Sequence, residues 1–248
     1  MRKYFSWTLT VSLLLISASV AVYIIHYLIF RDAHHIFIYM IGDIGFLFLD
    51  VLLVILLIER LLARREKRAI IKKLNMVIGT FFSEVGTELL KHFSAFVVNS
   101  SQLEKKLEFR LDWDRRDFRQ AIKAAQDFSY EIKIDAADLN KLSDFLTDKR
   151  PFLLRLLENP NLLEHERFTD LLWAIFHLSE ELSFRGADIN NLPETDYYHL
   201  AGDLQRAYSQ ITSEWIAYME HLKKSYPFLF SLATRINPMS PHPSPIVS

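Results

Sequence analysis

Cysteine is absent from the 248-residue chain. Disulfides, thiolate nucleophiles and every zinc site built on sulfur are therefore excluded, and any metal ligands must come from His, Asp and Glu. Net charge is almost absent as well. Against 30 acidic side chains stand 29 basic ones, a balance that gives no sign of nucleic-acid binding. Glycine and proline are scarce, with six and eight residues, and no proline precedes Pro151. Helices can run long over that stretch. The Gly-rich phosphate loop, the Gly-x-Ser-x-Gly nucleophile turn and the Asn-Gly or Asp-Gly hairpin turn are all missing, as is any strand pattern to carry them. An all-α protein is expected.

Long apolar runs are present instead. Thr8 to Phe30 and Ile36 to Ile58 each reach, at about 1.5 Å per helical residue, the roughly 30 Å of a hydrocarbon core. The first follows Arg2 and Lys3 and holds Ser19-Val20-Ala21, which resembles a signal-peptide cleavage site. Its apolar run continues through Val22 to Leu28, however, so an uncleaved span is the reading adopted. The second run leads into residues 59–73, where Arg60, Arg64, Arg65, Lys67, Arg68, Lys72 and Lys73 form a basic cluster suited to the anionic inner leaflet. With Arg2 and Lys3 they place both chain ends in the cytoplasm. The expectation is a multi-pass inner (plasma) membrane protein whose hairpin, residues 1–58, spans at about 8–30 and 36–58 and turns outside at 31–35.

Each span carries a polar row. Ser19 and His26 lie seven residues apart, as do Asp43 and Asp50, and at about 100° per residue each pair falls within roughly 20° on one face. Counted from the turn, His26 matches Asp43 in depth and Ser19 matches Asp50. This predicts an intramembrane seam in which His26 pairs with Asp43 and Ser19 donates to Asp50. A charge at the bilayer centre costs at least about 2.5–3.5 kcal/mol, so these acids should be protonated, paired or facing an aqueous path. The seam reads as glue for the hairpin or for a homo-oligomer. The alternative is a proton or cation pathway, which two spans per chain can enclose only in an oligomer. Gly42 and Gly45 are three apart, so the GxxxG motif is not met.

Beyond the basic segment, Leu74, Ile78, Phe81, Val85, Leu89, Phe93 and Phe96 recur at helical spacing and predict an amphipathic stalk within residues 59–98. That stripe suits packing on later helices, on another subunit or on lipid. A helical bundle is expected over 99–237, with the mixed-sign segment Glu104 to Arg119 as a solvated helix pair. A helical stripe should run through Phe118, Ile122, Ala125, Phe128 and Ile132, and Asp135 or Asp138 should cap the next helix. Pro151 should open a short helix ended by Asn159-Pro160-Asn161, and its text is echoed at Pro227. The tail 238–248 has four prolines and no charged residue, and is expected to be extended and mobile.

Two polar rows carry the remaining chemistry. Glu166, Asp170, His177 and Glu181 share one face of a helix over 163–185, and His199, Asp203, Gln210, Glu214 and His221 share one face of a helix over 195–226. His177, Glu181, His199 and Asp203 are the candidate metal ligands. The Glu-x-x-His text of di-iron bundles and the His-Glu-x-x-His text of zinc proteases are both missing. Apolar residues, Phe168, Leu171, Ile175, Leu178 and Leu182 on one helix and Leu200, Leu204, Tyr208, Ile211, Trp215 and Leu222 on the other, lie opposite the rows. The rows should therefore face solvent, with no metal and no cofactor. The function expected is non-enzymatic: a membrane-anchored accessory, scaffold or docking protein, partnered by the lipid bilayer and by a second copy or another protein. A metal-dependent enzyme is the remaining alternative.

Overall fold

A computed structural model describes residues 2–160, 162, 165–240 and 243–246. The chain divides at Glu66–Lys67 into two compact units. In the first, α1 (Arg2–Phe30) is followed by the start of α2 (Ala33–Phe81). The connection is shorter than the expected turn, because Asp32 caps α2: its Oδ1 accepts from the amides of His34 at 2.9 Å and His35 at 3.2 Å. Arg31 supplies the reversal from the left-handed region, at φ 49°. The apolar side chains of Leu9–Phe30 and of 36–58 are almost all exposed, and both helices are long and apolar enough to cross a membrane.

The second unit is a helical bundle. The end of α2 passes through one π-helical turn (Phe82–Gly86) into α3 (Thr87–Ser94), followed by α4 (Ser100–Glu104) and α5 (Arg115–Gln126). After these come α6 (Ala136–Leu157), α7 (Glu166–Arg185), α8 (Glu194–Ser225) and α9 (Pro227–Arg235). The centre is α8, which packs against α3, α5, α7 and α9 and is buried on every side over residues 211–216. The stripe from Leu74 to Phe96 is fully buried in this core, so the expected stalk from Leu74 onward is part of the bundle and faces neither water nor lipid.

Several expectations are corrected by packing. Mixed-sign residues 104–119 are not a helix pair: α4 ends at Glu104 and α5 starts at Arg115, where Asp114 and Asp117 form a capping box. Phe128 and Ile132 lie beyond α5 in an extended segment, because Val97 pairs with Ile132 and Asn99 clamps the strand-like backbone at Ser129 and Glu131. Pro151 does not start a helix. It lies inside α6, although a proline there costs about 3 kcal/mol, because Leu139, Leu142, Leu146, Leu153 and Leu156 form one buried stripe across it. Its echo at Pro227 does open a helix, so the two texts have different roles. Asp135 caps α6 as expected. The expected end at Asn161, the start at Leu163 and residues 241, 242, 247 and 248 of the tail lie outside the described residues. The tail's beginning is docked, since Met239 is buried and the Ser244 amide donates to the Arg235 carbonyl.

At the π-helical turn, the Phe82 carbonyl accepts from the Thr87 backbone N–H five residues on and also from Thr87 Oγ1 at 3.0 Å. Gly86 is required there: a Cβ would stand 2.5 Å from Phe82 Cδ1 and 2.8 Å from Phe81 Cε1, on rings with no room to move. Gly202, inside α8, has nothing within 4 Å of its Cβ position. Gly86→Ala should therefore destabilise the bundle by about 1–3 kcal/mol, whereas Gly202→Ala should stabilise it by about 0.5–1 kcal/mol. Urea unfolding measures both, and equal effects of the two substitutions would contradict this packing.

Candidate functional site

The site lies on the α7–α8 hairpin. Gly186, at φ 49°, closes α7, and a short 3-10 turn (Gly186–Asn191) leads back to α8. The two helices run antiparallel in contact, so residues from the end of α7 meet the start of α8. Glu166, Asp170, His177 and His199 are exposed, as expected of rows that face solvent. Contrary to expectation, His177 and Glu181 meet His199 and Asp203 along one edge of the hairpin, and Asp203 and Glu214 are buried. Each row lies at the flank of its apolar stripe, so packing α7 on α8 turns the two flanks toward each other.

Three rungs make up that edge. At the turn, Arg185 grips Asp196 with two bonds, Nε to Oδ2 at 2.6 Å and Nη2 to Oδ1 at 2.7 Å. Its Nη1 also donates to the Glu181 carbonyl at 2.7 Å and to that residue's carboxylate. These bonds to Arg185 hold the carboxyls of both Asp196 and Glu181 below the usual carboxylate range.

In the middle rung, His177 Nε2 lies 3.2 Å and His199 Nε2 3.4 Å from the same oxygen, Asp203 Oδ2. The three donor atoms are all within 4.8 Å of one another. Asp203 is 4% exposed, yet its Oδ2 accepts no hydrogen bond from either ring. Its other oxygen is held by Arg206 Nη1 at 3.1 Å. Glu181 stands at the margin, with Oε1 4.0 Å from His177 Nε2 and Oε2 3.7 Å from His199 Nε2. All four candidate ligands named from the sequence thus meet, as i,i+4 pairs from two adjacent helices.

The third rung is Glu214, with Arg167 Nε 3.1 Å from its Oε1. Arg167, Arg185, Asp196 and Arg206 were not singled out by the sequence reading. The visible signal for them was an ionic residue of opposite sign on each side of a short turn, Arg185 against Asp196. Aromatic side chains surround the edge: Trp173 is 61% exposed, Phe184 90% and Tyr198 84%.

The intramembrane seam does not close within one chain. Ser19, Asp43 and Asp50 are exposed and have no side-chain hydrogen bond or ion pair among the described residues. The His26 ring stacks on His35 at 5.7 Å, next to Phe30, and does not pair with Asp43; its buried Nε2 has no hydrogen-bond partner. Short-range aromatic contact at the turn takes the imidazole before the seam can. The basic residues Arg60, Arg64, Arg65, Lys67, Arg68, Lys72 and Lys73 are exposed and form no ion pair among the described residues.

Burial raises the Glu214 carboxyl above its usual value, against the opposing pull of Arg167 and His165. The fold thus disfavours the ionised form, so this group's contribution to stability is greatest below 4.5, its unfolded value, and is lost as pH rises through the folded value. Glu214→Gln should raise the thermal midpoint at pH 7, and the gain should close as pH falls below 4.5. An unchanged or lower midpoint at pH 7 would show that Arg167 outweighs desolvation.

Comparison with known proteins follows the same division of the chain. Residues 70–235 match the family described as "Uncharacterized protein MJ1433, C-terminal helical domain", and residues 2–62 match "MJ1433, N-terminal helical domain". No solved structure matches. The "Uncharacterized protein MJ1433" of Methanocaldococcus jannaschii is 42% identical over 232 residues, covering 94% of this chain and 93% of its own length. The gap between the two matched regions, at 62–70, brackets the division at Glu66–Lys67, and the chain belongs to the MJ1433 family of helical proteins.

Proposed function

We propose that this protein is a membrane-anchored, non-enzymatic docking protein: α1 and the first part of α2 span the bilayer, both chain ends are cytoplasmic, and the bundle holds a protein partner on α7. The exposed aromatic line on α7 carries this reading. Trp173, His177 and Phe184 fall within about 40° of one another around the helix and over roughly 16 Å along it. Tyr198 stands exposed on α8 beside them in sequence across the turn. Large aromatic side chains left in water by a domain that buries most of its others are the side-chain type that dominates protein interfaces.

The membrane assignment is supported by spans that expose apolar side chains all round and by basic residues after the second. Inside lipid, the backbone of both helices is satisfied internally. Asp43 and Asp50 have no side-chain partner among the described residues, and in a bilayer that favours a second copy supplying one.

Purification of the intact chain from its native membrane in gentle detergent, with mass analysis of what remains bound, tests the reading. A partner in fixed ratio is expected, and Trp173→Ala with Phe184→Ala should weaken its retention at least tenfold while leaving the helical content unchanged. A partner retained equally by that variant would contradict docking on α7. Asp43→Asn with Asp50→Asn should reduce the oligomer or its abundance in the membrane, and unchanged oligomers at normal level would remove the seam from the account.

A further inference from the structure

We infer that His177, His199 and Asp203 form a binding site for a divalent first-row transition ion, with Zn2+ as the reference case. The inference goes beyond docking, and its readout is the ion itself. The geometry is that of a ligand set. Around an ion bound at about 2.0–2.1 Å, the atoms of a tetrahedral set lie about 3.3 Å apart. Here two of the three separations match, since the Nε2 atoms of His177 and His199 stand 3.2 and 3.4 Å from Asp203 Oδ2, and the three ligand atoms lie within 4.8 Å of one another. An ion between them would take a lone pair from each.

The Asp203 oxygen is the independent observation. Its residue is 96% buried, since only 4% of its surface is exposed, and Oδ2 is aimed at the two rings without accepting a hydrogen bond from either. A buried carboxylate oxygen without a donor is destabilising, and a bound cation relieves that. Both ring nitrogens stand within ligand distance of this oxygen, and neither is hydrogen-bonded to it.

The surroundings have the form of a supported site. Arg206 fixes the other Asp203 oxygen, and Arg185 fixes the Glu181 carboxylate at the margin, 4.0 Å from His177 Nε2 and 3.7 Å from His199 Nε2. His177 and His199 are about half exposed, so an ion enters from solvent without any opening of the core. Two imidazoles and a carboxylate, with no sulfur, suit Zn2+, Fe2+, Co2+ or Ni2+ in preference to Ca2+ or Mg2+. The ion links the two helices on which the exposed aromatics sit.

The test uses the full-length chain in detergent, stripped with chelator and titrated with Zn2+ and with Co2+. About one ion per chain should bind, Co2+ should show the visible bands of a four- or five-coordinate site, and Zn2+ should raise the thermal midpoint. His177→Ala with His199→Ala should weaken binding by more than about 100-fold, beyond the roughly 10–100-fold expected from loss of a supporting residue. Should that variant lose its helical circular dichroism, His199→Gln alone, on a half-exposed side chain, carries the comparison. Wild-type binding no tighter than that of the variants, or Co2+ spectra of the hexaaqua ion only, would overturn the site.

Discussion

Burial of α8 is the constraint from which the rest of the bundle follows. Over 211–216 this helix has no exposed face, so helices must cover it on all sides, and α3, α5, α7 and α9 do so. A helix in that position cannot carry charge cheaply. Asp203 and Glu214 nevertheless sit on it, and each unpaired would cost several kcal/mol. The solution is the facing row of α7, which brings Arg185, His177 and Arg167 against Asp196, Asp203 and Glu214. The seam is therefore a consequence of packing and also the place where ligands converge. Arginine closes the outer two rungs, and in the middle rung Arg206 holds one Asp203 oxygen while the imidazoles of His177 and His199 stand beside the other.

The first unit obeys a different rule. Among its described residues up to Ile58 no side chain is fully buried, rings pack at the turn, and leucine, isoleucine and phenylalanine are displayed outward. In water such surface would associate or precipitate. In lipid it would be at rest, and the cost would move to Asp43, Asp50 and His26, for which the described residues supply no hydrogen-bond or ion-pair partner. The same polar side chains that are harmless on a soluble surface become the constraint on assembly.

Periodicity made most of the helices legible. The stripes at Leu74–Phe96, Phe168–Leu182 and Leu200–Leu222 all proved to be core, because spacing of three and four is a direct record of one buried face. Boundaries set by non-local contacts were not legible: nothing near Phe128 announces that Val97 and Asn99 will draw it out of a helix, and nothing near Pro151 announces that leucines on both sides will hold α6 together. The four polar ligand candidates were visible as residues, yet their rows were read as facing solvent, away from the core. A stripe opposite a row fixes only which way one helix faces the core, not which neighbour lies at its flank. The usable sign was simpler: His177 with Glu181 and His199 with Asp203, each at i,i+4, on consecutive helices joined by a short turn.

Membrane attachment with a cytoplasmic bundle is the claim on which the docking account stands. Alkaline extraction of native membranes, combined with protease treatment of right-side-out and inside-out vesicles, tests it directly. The account predicts that the chain stays in the membrane pellet and that the bundle is cleaved only in inside-out vesicles. Release of the intact chain into the alkaline supernatant, or cleavage of the bundle from the outer face, would contradict it.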